Sequence, residues 1–368
     1  MGIVSIRKIH NSIKETLEQS LKDIGGLDKY IKGNDKVILK PNINGTECVT
    51  NIEVIKSLIE LLLDYNIKNI TIAESTFGNA QITEMCFAKN GYNDLIKKYN
   101  IDIINLNKSE IINLDVKKHR ILKRIQIAKE ILNVDKIINI PVMKVHYATG
   151  ITLALKNLKG ILVGDEKKHF HEVGLDQAIV DLNNTIQPDL NIVDCTYCME
   201  KMGPKGGDIL KLDLLLSGTN TGEIDYIGSK IMGFKLDEIK HLKYFIDDNK
   251  IDTKGIKVIG EKIEDIKYNF KKAILKNNYN DKMIIHDINS CSACMNALLL
   301  SFQFLENEPN EKYSVFIGPK INNNVKNNFK KIAFGNCCIK NIDNVDYEIK
   351  GCPPYPFELN KKVNNELK

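Results

Sequence analysis

The sequence lacks any apolar run long enough to cross a membrane, and even the run 58–63 is interrupted by Glu60. Its N-terminus has neither the apolar core nor the small-residue cleavage site of a secretory signal. Ile6 stands where an N-myristoylation signal requires serine or threonine. We therefore expect a cytoplasmic protein that does not associate with a membrane.

Two nucleotide-binding motifs are also absent. Neither a glycine-rich dinucleotide fingerprint nor a P-loop occurs, and the glycine-rich segment 202–207 lacks the spacing of both. A flavin or nicotinamide cofactor is therefore not supported. The net charge of +5 is small for 368 residues, and lysines are mixed with acidic residues along the whole chain. This pattern does not indicate nucleic-acid binding.

The composition is that of an ordinary globular protein. Hydrophobic residues make up 43% and charged residues 27% of the chain, and the length allows two or three domains. No internal repeat or low-complexity linker is evident. Lysine and asparagine become more frequent after Phe234, which predicts a first domain of residues 1–235 and a second of residues 236–368.

Apolar segments typical of strands alternate with segments of helical periodicity. The predicted strands of the first domain are 36–40, 69–73, 101–106, 136–140, 190–193 and 212–216. The predicted helices are 12–22, 50–65, 83–99, 124–132, 175–186 and 222–232. This alternation predicts an α/β fold with a doubly wound, mainly parallel sheet. Strands near 256–259, 282–286, 314–317 and 331–334 predict a smaller α/β C-terminal domain, which carries most of the cysteines.

The stretch 141–171 combines basic and imidazole groups with an apolar sequence. It follows a predicted buried strand and contains Lys144, His146, Lys156, Lys159, His169 and His171. A solvated basic loop followed by a helix is the plain alternative. Against that alternative, few turn residues occur, and the basic groups are interleaved with an apolar run at 152–155. We therefore predict a functional site here.

Other polar residues also follow predicted strands of the first domain. Because the carboxyl ends of parallel strands meet at one edge of a sheet, we expect these residues to share a pocket. In this interpretation a small carboxylate or phosphate is held by lysines, and a histidine moves a proton near neutral pH. The predicted catalytic residues are His146, Lys144, Lys156 and His171. The predicted substrate-binding residues are Lys40, Asn42, Glu74, Asn157, Asp194 and Glu200.

The C-terminal region carries cysteines in three turns. Cys291 and Cys294 form a C-x-x-C motif at the start of a predicted helix, where the helix dipole favours thiolates. Cys337 (or Cys338) and Cys352 follow in glycine-containing turns. Four such thiolates suit a 4Fe–4S cluster or a structural zinc ion, and we favour the cluster. Unrelated buried cysteines or a redox dithiol are the alternatives.

The remaining cysteines show no comparable arrangement. Cys195 and Cys198 form a second C-x-x-C motif after a predicted strand, but no second pair lies near them in the sequence. Cys48 and Cys86 belong to no motif. We expect all four to be ordinary core or loop residues.

Several of these segments resemble a known family. The segments VILKPNING, INIPVMKVHYATGITLALKNLKG and IVDCTYCMEKMGPKGG are similar to the pattern of the family domain of unknown function 362, over roughly residues 3–235. The tail resembles the cysteine-rich ending of one subset, which implies an iron–sulfur protein. The family's third cysteine comes two positions after a glycine, which implies Cys337 as ligand rather than Cys338. Cys195 and Lys201 depart from the family pattern.

A weaker likeness exists to the catalytic domain of lactate racemase. There too a histidine precedes a lysine by ten positions, as His146 precedes Lys156, and a later histidine corresponds to His171. In that family the lysine and later histidine hold a nickel-pincer nucleotide, and the earlier histidine is an acid or base. The glycine-rich run around the lysine is missing here, so the likeness implies a shared scaffold only.

Together these features predict an iron–sulfur redox enzyme acting on a small anionic substrate, with a ferredoxin-type protein as electron donor. Two alternatives remain. The chain is a non-enzymatic iron–sulfur electron carrier or redox sensor, or it is a ligase or isomerase stapled by zinc.

Overall fold

The computed structural model describes residues 2–273, 278–303, 305, 308–309, 311–320, 325 and 327–364. The chain divides into two compact units, Met1–Ala273 and Ile274–Lys368. The boundary that composition suggested after residue 235 therefore falls inside the first unit. Residues between Leu236 and Ala273 belong there because they add a strand to its sheet and helices to its core.

The first unit alternates strands with helices. Its strands are β1 (Ile3–Lys8), β2 (Val37–Pro41), β3 (Ile70–Glu74), β4 (Asp102–Asn105), β5 (Ile111–Asp115), β6 (Arg124–Ala128), β7 (Lys136–Ile140), β8 (Val142–His146), β9 (Gly150–Thr152), β10 (Leu190–Glu200), β11 (Asp208–Gly218) and β12 (Lys257–Gly260). Its α-helices are α1 (Ile13–Asp23), α2 (Ile52–Asp64), α3 (Ala80–Lys89), α4 (Asn93–Tyr99), α5 (Ala154–Asn157), α6 (Glu166–Val173), α7 (Leu175–Thr185), α8 (Thr221–Ile231), α9 (Lys240–Asn249) and α10 (Ile263–Ile266). Short 3-10 helices cover Leu27–Lys29, Leu106–Lys108, Lys129–Leu132, Leu158–Ile161 and Leu236–Glu238.

The main sheet has the strand order β12-β1-β11-β10-β7-β2-β3-β4. The strands from β10 to β4 pair in parallel, whereas β11 is antiparallel to both of its neighbours. Alternate residues of β2 enter different cores, because Val37 and Leu39 pack on one face and Ile38 on the other. Apolar layers thus cover both faces, and the predicted doubly wound, mainly parallel α/β fold is confirmed.

Local sequence signals explain most element boundaries. Helix α2 begins where predicted, because the side chain of Asn51 accepts a hydrogen bond from the backbone N–H of Glu53 (3.0 Å). The predicted helix 83–99 is instead two helices, α3 and α4. The chain turns between them at Gly91, which has a φ of +80°.

Two further predictions about the first unit are wrong. Residues 124–132 form strand β6 and a 3-10 helix rather than an α-helix. Ile125 and Ile127 are buried while Arg124 is exposed, so a period of two prevails over the helical period. The strand predicted to end at Asp194 continues to Glu200, which places Asp194 inside β10.

The second unit contains a separate sheet of order β13-β14-β15-β16-β17, in which β14 to β17 pair in parallel. Its strands are β13 (Asn278–Asn280), β14 (Met283–Asp287), β15 (Tyr313–Ile317), β16 (Lys330–Phe334) and β17 (Tyr347–Ile349). Its helices are α11 (Ser292–Gln303), α12 (Asn336–Ile339) and α13 (Phe357–Asn364). In the described parts of both units, every helix is too short or too polar to span a lipid bilayer.

Candidate functional site

The stretch 141–171 is not a solvated loop. Its first part is the hairpin of β8 and β9, in which Lys144 pairs with Thr152 and His146 with Gly150. Gly150 has a φ of +77°, which fits its place at the hairpin turn. Every residue of β8 is buried. Lys144 and His146 are therefore held on a rigid buried strand that pairs with β10.

A chain of hydrogen bonds joins Lys144 to the end of β2. The Lys144 ammonium donates to the side-chain oxygen of Asn42 (3.2 Å) and to the backbone oxygen of Cys48 (3.0 Å). The Asn42 amide donates to the Asn157 side chain (2.9 Å), which in turn donates to the backbone oxygen of Lys40 (3.3 Å). Burial lowers the pKa of Lys144. Asn42 and Asn157 thus position this lysine.

Lys40 and Glu74 form a buried ion pair. The Lys40 ammonium lies 2.6 Å from Glu74 Oε2 and also donates to the Pro41 carbonyl. Burial lowers the pKa of Lys40 and raises the pKa of Glu74, and each charge opposes the shift of the other. Because both side chains are paired and buried, they brace the ends of β2 and β3.

The absence of a side chain at Gly160 leaves room for the Glu74 carboxylate. A Cβ atom on Gly160 would lie 1.8 Å from Glu74 Oε1, far inside van der Waals contact. We expect Gly160→Ala to lower the free energy of unfolding by about 3 kcal/mol, because the buried ion pair must move. Denaturant unfolding of the two proteins measures this difference.

Gly33→Ala is the matched control for this change. A Cβ atom at Gly33 would lie 3.5 Å from the Asn66 carbonyl, an ordinary contact. We expect a change within about 0.5 kcal/mol. If both substitutions lowered the free energy of unfolding by the same amount, Gly160 would not be needed to accommodate the Glu74 carboxylate.

His146 has one engaged nitrogen and one unengaged nitrogen. Its Nδ1 accepts hydrogen bonds from the backbone N–H groups of Ala148 (3.1 Å) and Thr149 (3.3 Å). The proton of the neutral ring therefore resides on Nε2, which is buried and has no hydrogen-bond partner in the described chain. Burial first, and then the charges of Lys156 and Lys159, lower the pKa of His146 well below its usual value. His146 is thus a neutral hydrogen-bond donor.

Three further basic groups lie near His146. Lys159 Nζ is 3.0 Å from His171 Nε2. Burial, followed by the charges of Lys159 and Lys156, lowers the pKa of His171 well below its usual value. Burial also lowers the pKa of Lys156 to about 7, with Lys144 acting in the same direction and Asp176 against it. This cluster of cationic and imidazole groups favours an anion by Coulomb attraction.

A cavity of about 260 Å³ adjoins His146. It is wide enough for a small metabolite and lies between the β8–β9 hairpin and residues near the start of α7 and α9. Charged and aromatic side chains border it, namely Asp176, Phe234, Glu238, Lys240 and Lys272.

The remaining predicted residues lie in other settings. The buried Asp194 carboxylate accepts hydrogen bonds from the backbone of Asn51 (2.7 Å) and from Thr196, so it anchors the start of α2. Glu200 accepts a hydrogen bond from the backbone of Lys271 (2.8 Å) at the far end of β10. His169 is half-buried, and its Nδ1 lies 3.5 Å from Glu166 Oε1.

Sequence reasoning missed two buried charged residues that support this region. Lys167 donates to the backbone oxygens of Ser75 and Thr76, and burial lowers its pKa to about 7. Asp225 accepts hydrogen bonds from the backbone of Ala154 (2.7 Å) and Leu155 (2.9 Å) at the start of α5. Neither stands in a motif, and only the tertiary contacts identify them.

Two cysteine-bearing turns of the second unit lie side by side, because the backbone N–H of Asn336 donates to the Gly351 carbonyl (3.0 Å). The hydrogen bond between the Cys294 and Cys291 thiols, then burial, then the charges of Cys291, Cys352 and Cys337 raise the pKa of Cys294. Cys294 is buried, Cys291 and Cys337 are half-buried, and Cys352 is exposed. A Cβ atom on Gly335 would lie 3.3 Å from Cys294 Sγ, so glycine leaves space beside this thiol.

Cys338 points elsewhere. Its thiol donates to the backbone oxygen of Phe316 (3.2 Å) and is enclosed in a small apolar core. Burial raises its pKa to about 11. This geometry favours Cys337 over Cys338 as a ligand, a choice that stays a prediction. Across the described ranges, no three or more His, Cys, Asp or Glu side chains are arranged to hold a single metal ion.

Comparisons with known proteins concern mainly the first unit. The family described as Domain of unknown function (DUF362) matches residues 37–230, more than half of the chain. A thylakoid-associated protein of Synechocystis sp., sll1697, is 29% identical over 234 residues, which cover 60% of this chain and 70% of that protein. The lactate racemase apoprotein of Thermoanaerobacterium thermosaccharolyticum aligns with a TM-score of 0.42 and 14% identity over 63% of this chain. The chain spans only 57% of that racemase.

Proposed function

Since the chain belongs to the family Domain of unknown function (DUF362), which names no reaction, we propose its function from its own two groups of residues. The first unit binds a small carboxylate or phosphate beside Lys144, His146, Lys156 and His171. The second unit holds a 4Fe–4S cluster through Cys291, Cys294, Cys337 and Cys352. The protein is then an iron–sulfur redox enzyme, supplied with electrons by a ferredoxin-type protein.

The observation that carries the cluster proposal is that the cysteine-bearing turns adjoin one another, because Gly335 lies beside Cys294 Sγ and the backbone N–H of Asn336 donates to the Gly351 carbonyl (3.0 Å). Their donor set is four thiols, the usual complement of a 4Fe–4S cluster. A single zinc ion draws its sulfurs to roughly 2.3 Å from one point. A cluster instead places irons and sulfides between its four ligands. When bound, it would transfer one electron at a time or act as a Lewis acid.

The anion proposal depends on His146. Its Nε2–H is buried without a partner, and an anionic oxygen of a ligand would satisfy it. Protonation of Nδ1 would break two backbone hydrogen bonds, so the ring stays neutral and donates. Lys156 supplies a positive charge, and the Lys159–His171 pair provides a group that can take up or release a proton.

A thermal-shift measurement with inorganic phosphate and with acetate tests the anion site. Binding to the folded state alone stabilises it by about 2.7 kcal/mol at a ligand concentration near 100 times Kd. We expect Lys156→Met to lose most of this stabilisation, because the charge is removed while the length of the side chain is kept. Lys168→Met, at an exposed site on α6, should retain it.

The pH dependence gives a second readout. Because the pKa of Lys156 is about 7, stabilisation by anions should be greater below this pH than above it. Without a bound anion, the stability of the folded protein changes with pH in the opposite direction. The unfolded chain, with the ordinary lysine pKa of 10.5, binds more protons above pH about 7, so stability rises from there towards 10.5. In Lys156→Met the trend with anions should flatten, whereas the rise in the free protein should become smaller but persist, because burial also lowers the pKa of Lys167 to about 7.

The outcomes also separate the alternatives. Iron and sulfide together with anion stabilisation support the enzyme. Iron and sulfide without any anion effect in the wild type support an electron carrier or redox sensor. Stoichiometric zinc in a colourless protein would replace the redox proposal with a zinc-stapled ligase or isomerase.

A further inference from the structure

The structure brings together three cysteines of the first unit that the sequence separates. Cys195 and Cys198 lie three positions apart in β10, and in a regular strand such residues face opposite sides. The pairing of β10 with β11 is irregular between Cys195 and Tyr197. Across this irregularity both cysteines lie in the same apolar core and are fully buried. Burial first, and then the neighbouring Cys195 thiol, raise the pKa of Cys198.

Cys48 approaches this pair from the loop between β2 and α2. Its thiol donates to the backbone oxygen of Tyr197 (3.6 Å), one of the two residues between the buried cysteines. Burial raises the pKa values of both Cys48 and Cys198. The charge of Cys48 raises the pKa of Cys198 further, and the charge of Cys195 raises the pKa of Cys48 further. Cys48 is partly exposed, whereas Cys195 and Cys198 are inaccessible to solvent. Cys48 is therefore the most exposed residue of the trio.

We propose that Cys48, Cys195 and Cys198 form a redox-active thiol site, in which Cys48 exchanges with a low-molecular-weight disulfide and passes the oxidation to the buried pair. The cysteines expected to be ordinary core or loop residues thus acquire a role. The site is independent of the iron–sulfur proposal, because all three thiols belong to the first unit.

The reaction balances as successive thiol–disulfide exchanges. The Cys48 thiolate attacks one sulfur of the external disulfide, which releases one thiolate and leaves a mixed disulfide on Cys48. The Cys198 thiolate attacks the Cys48 sulfur and releases the second external thiolate. Cys195 then attacks the Cys198 sulfur, which forms the Cys195–Cys198 disulfide and restores the Cys48 thiol. Two protein thiols are oxidised and one external disulfide is reduced to two thiols.

The surroundings of Cys48 determine how fast it reacts with the external disulfide. Burial raises the pKa of Cys48 to about 11, while the Lys144 ammonium, which also donates to the Cys48 carbonyl, acts in the opposite direction. The thiolate is the attacking form, and its fraction rises about tenfold per pH unit below the pKa. Oxidation should therefore be slow near neutrality and should accelerate steeply at alkaline pH.

Oxidised glutathione is the probe that tests the proposal. The full chain, reduced without air, is incubated with it, and remaining thiols are alkylated in denaturant at intervals. Cys195 and Cys198 lie on one tryptic peptide, between Lys168 and Lys201, so their disulfide removes both alkyl groups from that peptide. We expect this loss in the wild type, with glutathione appearing transiently on Cys48.

Variants test the order of events. We expect Cys48→Ser to slow formation of the Cys195–Cys198 disulfide by at least about tenfold, since the buried thiols then lack an accessible exchange partner. Cys86→Ala, a buried cysteine outside the trio, should leave the rate unchanged. If Cys48→Ser does not fold, the position of the transient glutathione in the wild type, on Cys48 or on one of the buried cysteines, provides the same test.

Three results would overturn the proposal. Cys195 and Cys198 could remain fully alkylatable after prolonged incubation, which would make them plain core residues. Equal rates in Cys48→Ser and the wild type would remove the role of Cys48 as the entry thiol. A wild-type rate that does not change between neutral and alkaline pH would exclude a thiolate with a raised pKa as the attacking group.

Discussion

Replacement of Cys337 by serine should leave the anaerobically purified protein without its iron, whereas the same change at Cys338 should leave the iron content intact. The two residues are adjacent, but Cys337 is half-buried and follows Gly335, which lies beside Cys294 Sγ. The Cys338 thiol is bound to the Phe316 carbonyl inside an apolar core. A cluster needs all of its thiolates. Iron and acid-labile sulfide per chain, with the visible absorption spectrum, measure the effect.

The neighbouring pair provides its own control. Both substitutions exchange sulfur for oxygen in the same short helix, so a general loss of folding would affect both proteins. Cys291→Ala and Cys352→Ala should reproduce the loss seen with Cys337→Ser. Iron loss in Cys338→Ser with retention in Cys337→Ser would exchange the assignments of the two residues. Retention in all of the variants would remove the four-cysteine site.

Lys40→Met should destabilise the first unit by about 3–5 kcal/mol, the usual cost of leaving one buried charge without its partner. The Lys40 ammonium is fully buried and contacts Glu74 Oε2 at 2.6 Å. Methionine keeps the shape of the side chain but leaves the Glu74 carboxylate uncompensated. The midpoint of denaturant unfolding, compared with that of the wild type, measures this loss.

Two further variants make this result interpretable. Lys56→Met removes one partner of a more exposed pair with Glu53 and should cost no more than about 1 kcal/mol. Combining Lys40→Met with Glu74→Met removes both charges and should recover most of the loss. A single Lys40→Met variant as stable as Lys56→Met would contradict a buried ion pair at the end of β2 and β3.

Apolar periodicity was sufficient to predict much of the first unit. Strands β2 and β7 are short and largely apolar, because helices cover both faces of a parallel sheet. Strand β6 was mistaken for a helix because isoleucines at 125, 127 and 131 fit either period in so short a segment. The length of β10 was missed because its second half pairs with β11, a contact that no local pattern reveals.

The sequence was sufficient to predict which residues lie at the candidate site, but not what each of them does there. Basic residues after buried strands indicated where Lys144 and His146 would lie. The sequence could not show that Lys40 is neutralised by Glu74, or that His146 Nδ1 is engaged by backbone donors. Spacing alone also failed to relate Cys48 to Cys195, since 147 positions separate them (195 − 48) and only the folded loop brings them together.

The most direct measurement is the iron and acid-labile sulfide content of the wild-type protein prepared without air. The account predicts about four of each per chain, with an absorption spectrum that bleaches on reduction. A colourless protein that contains one zinc ion per chain, or no metal at all, would contradict it.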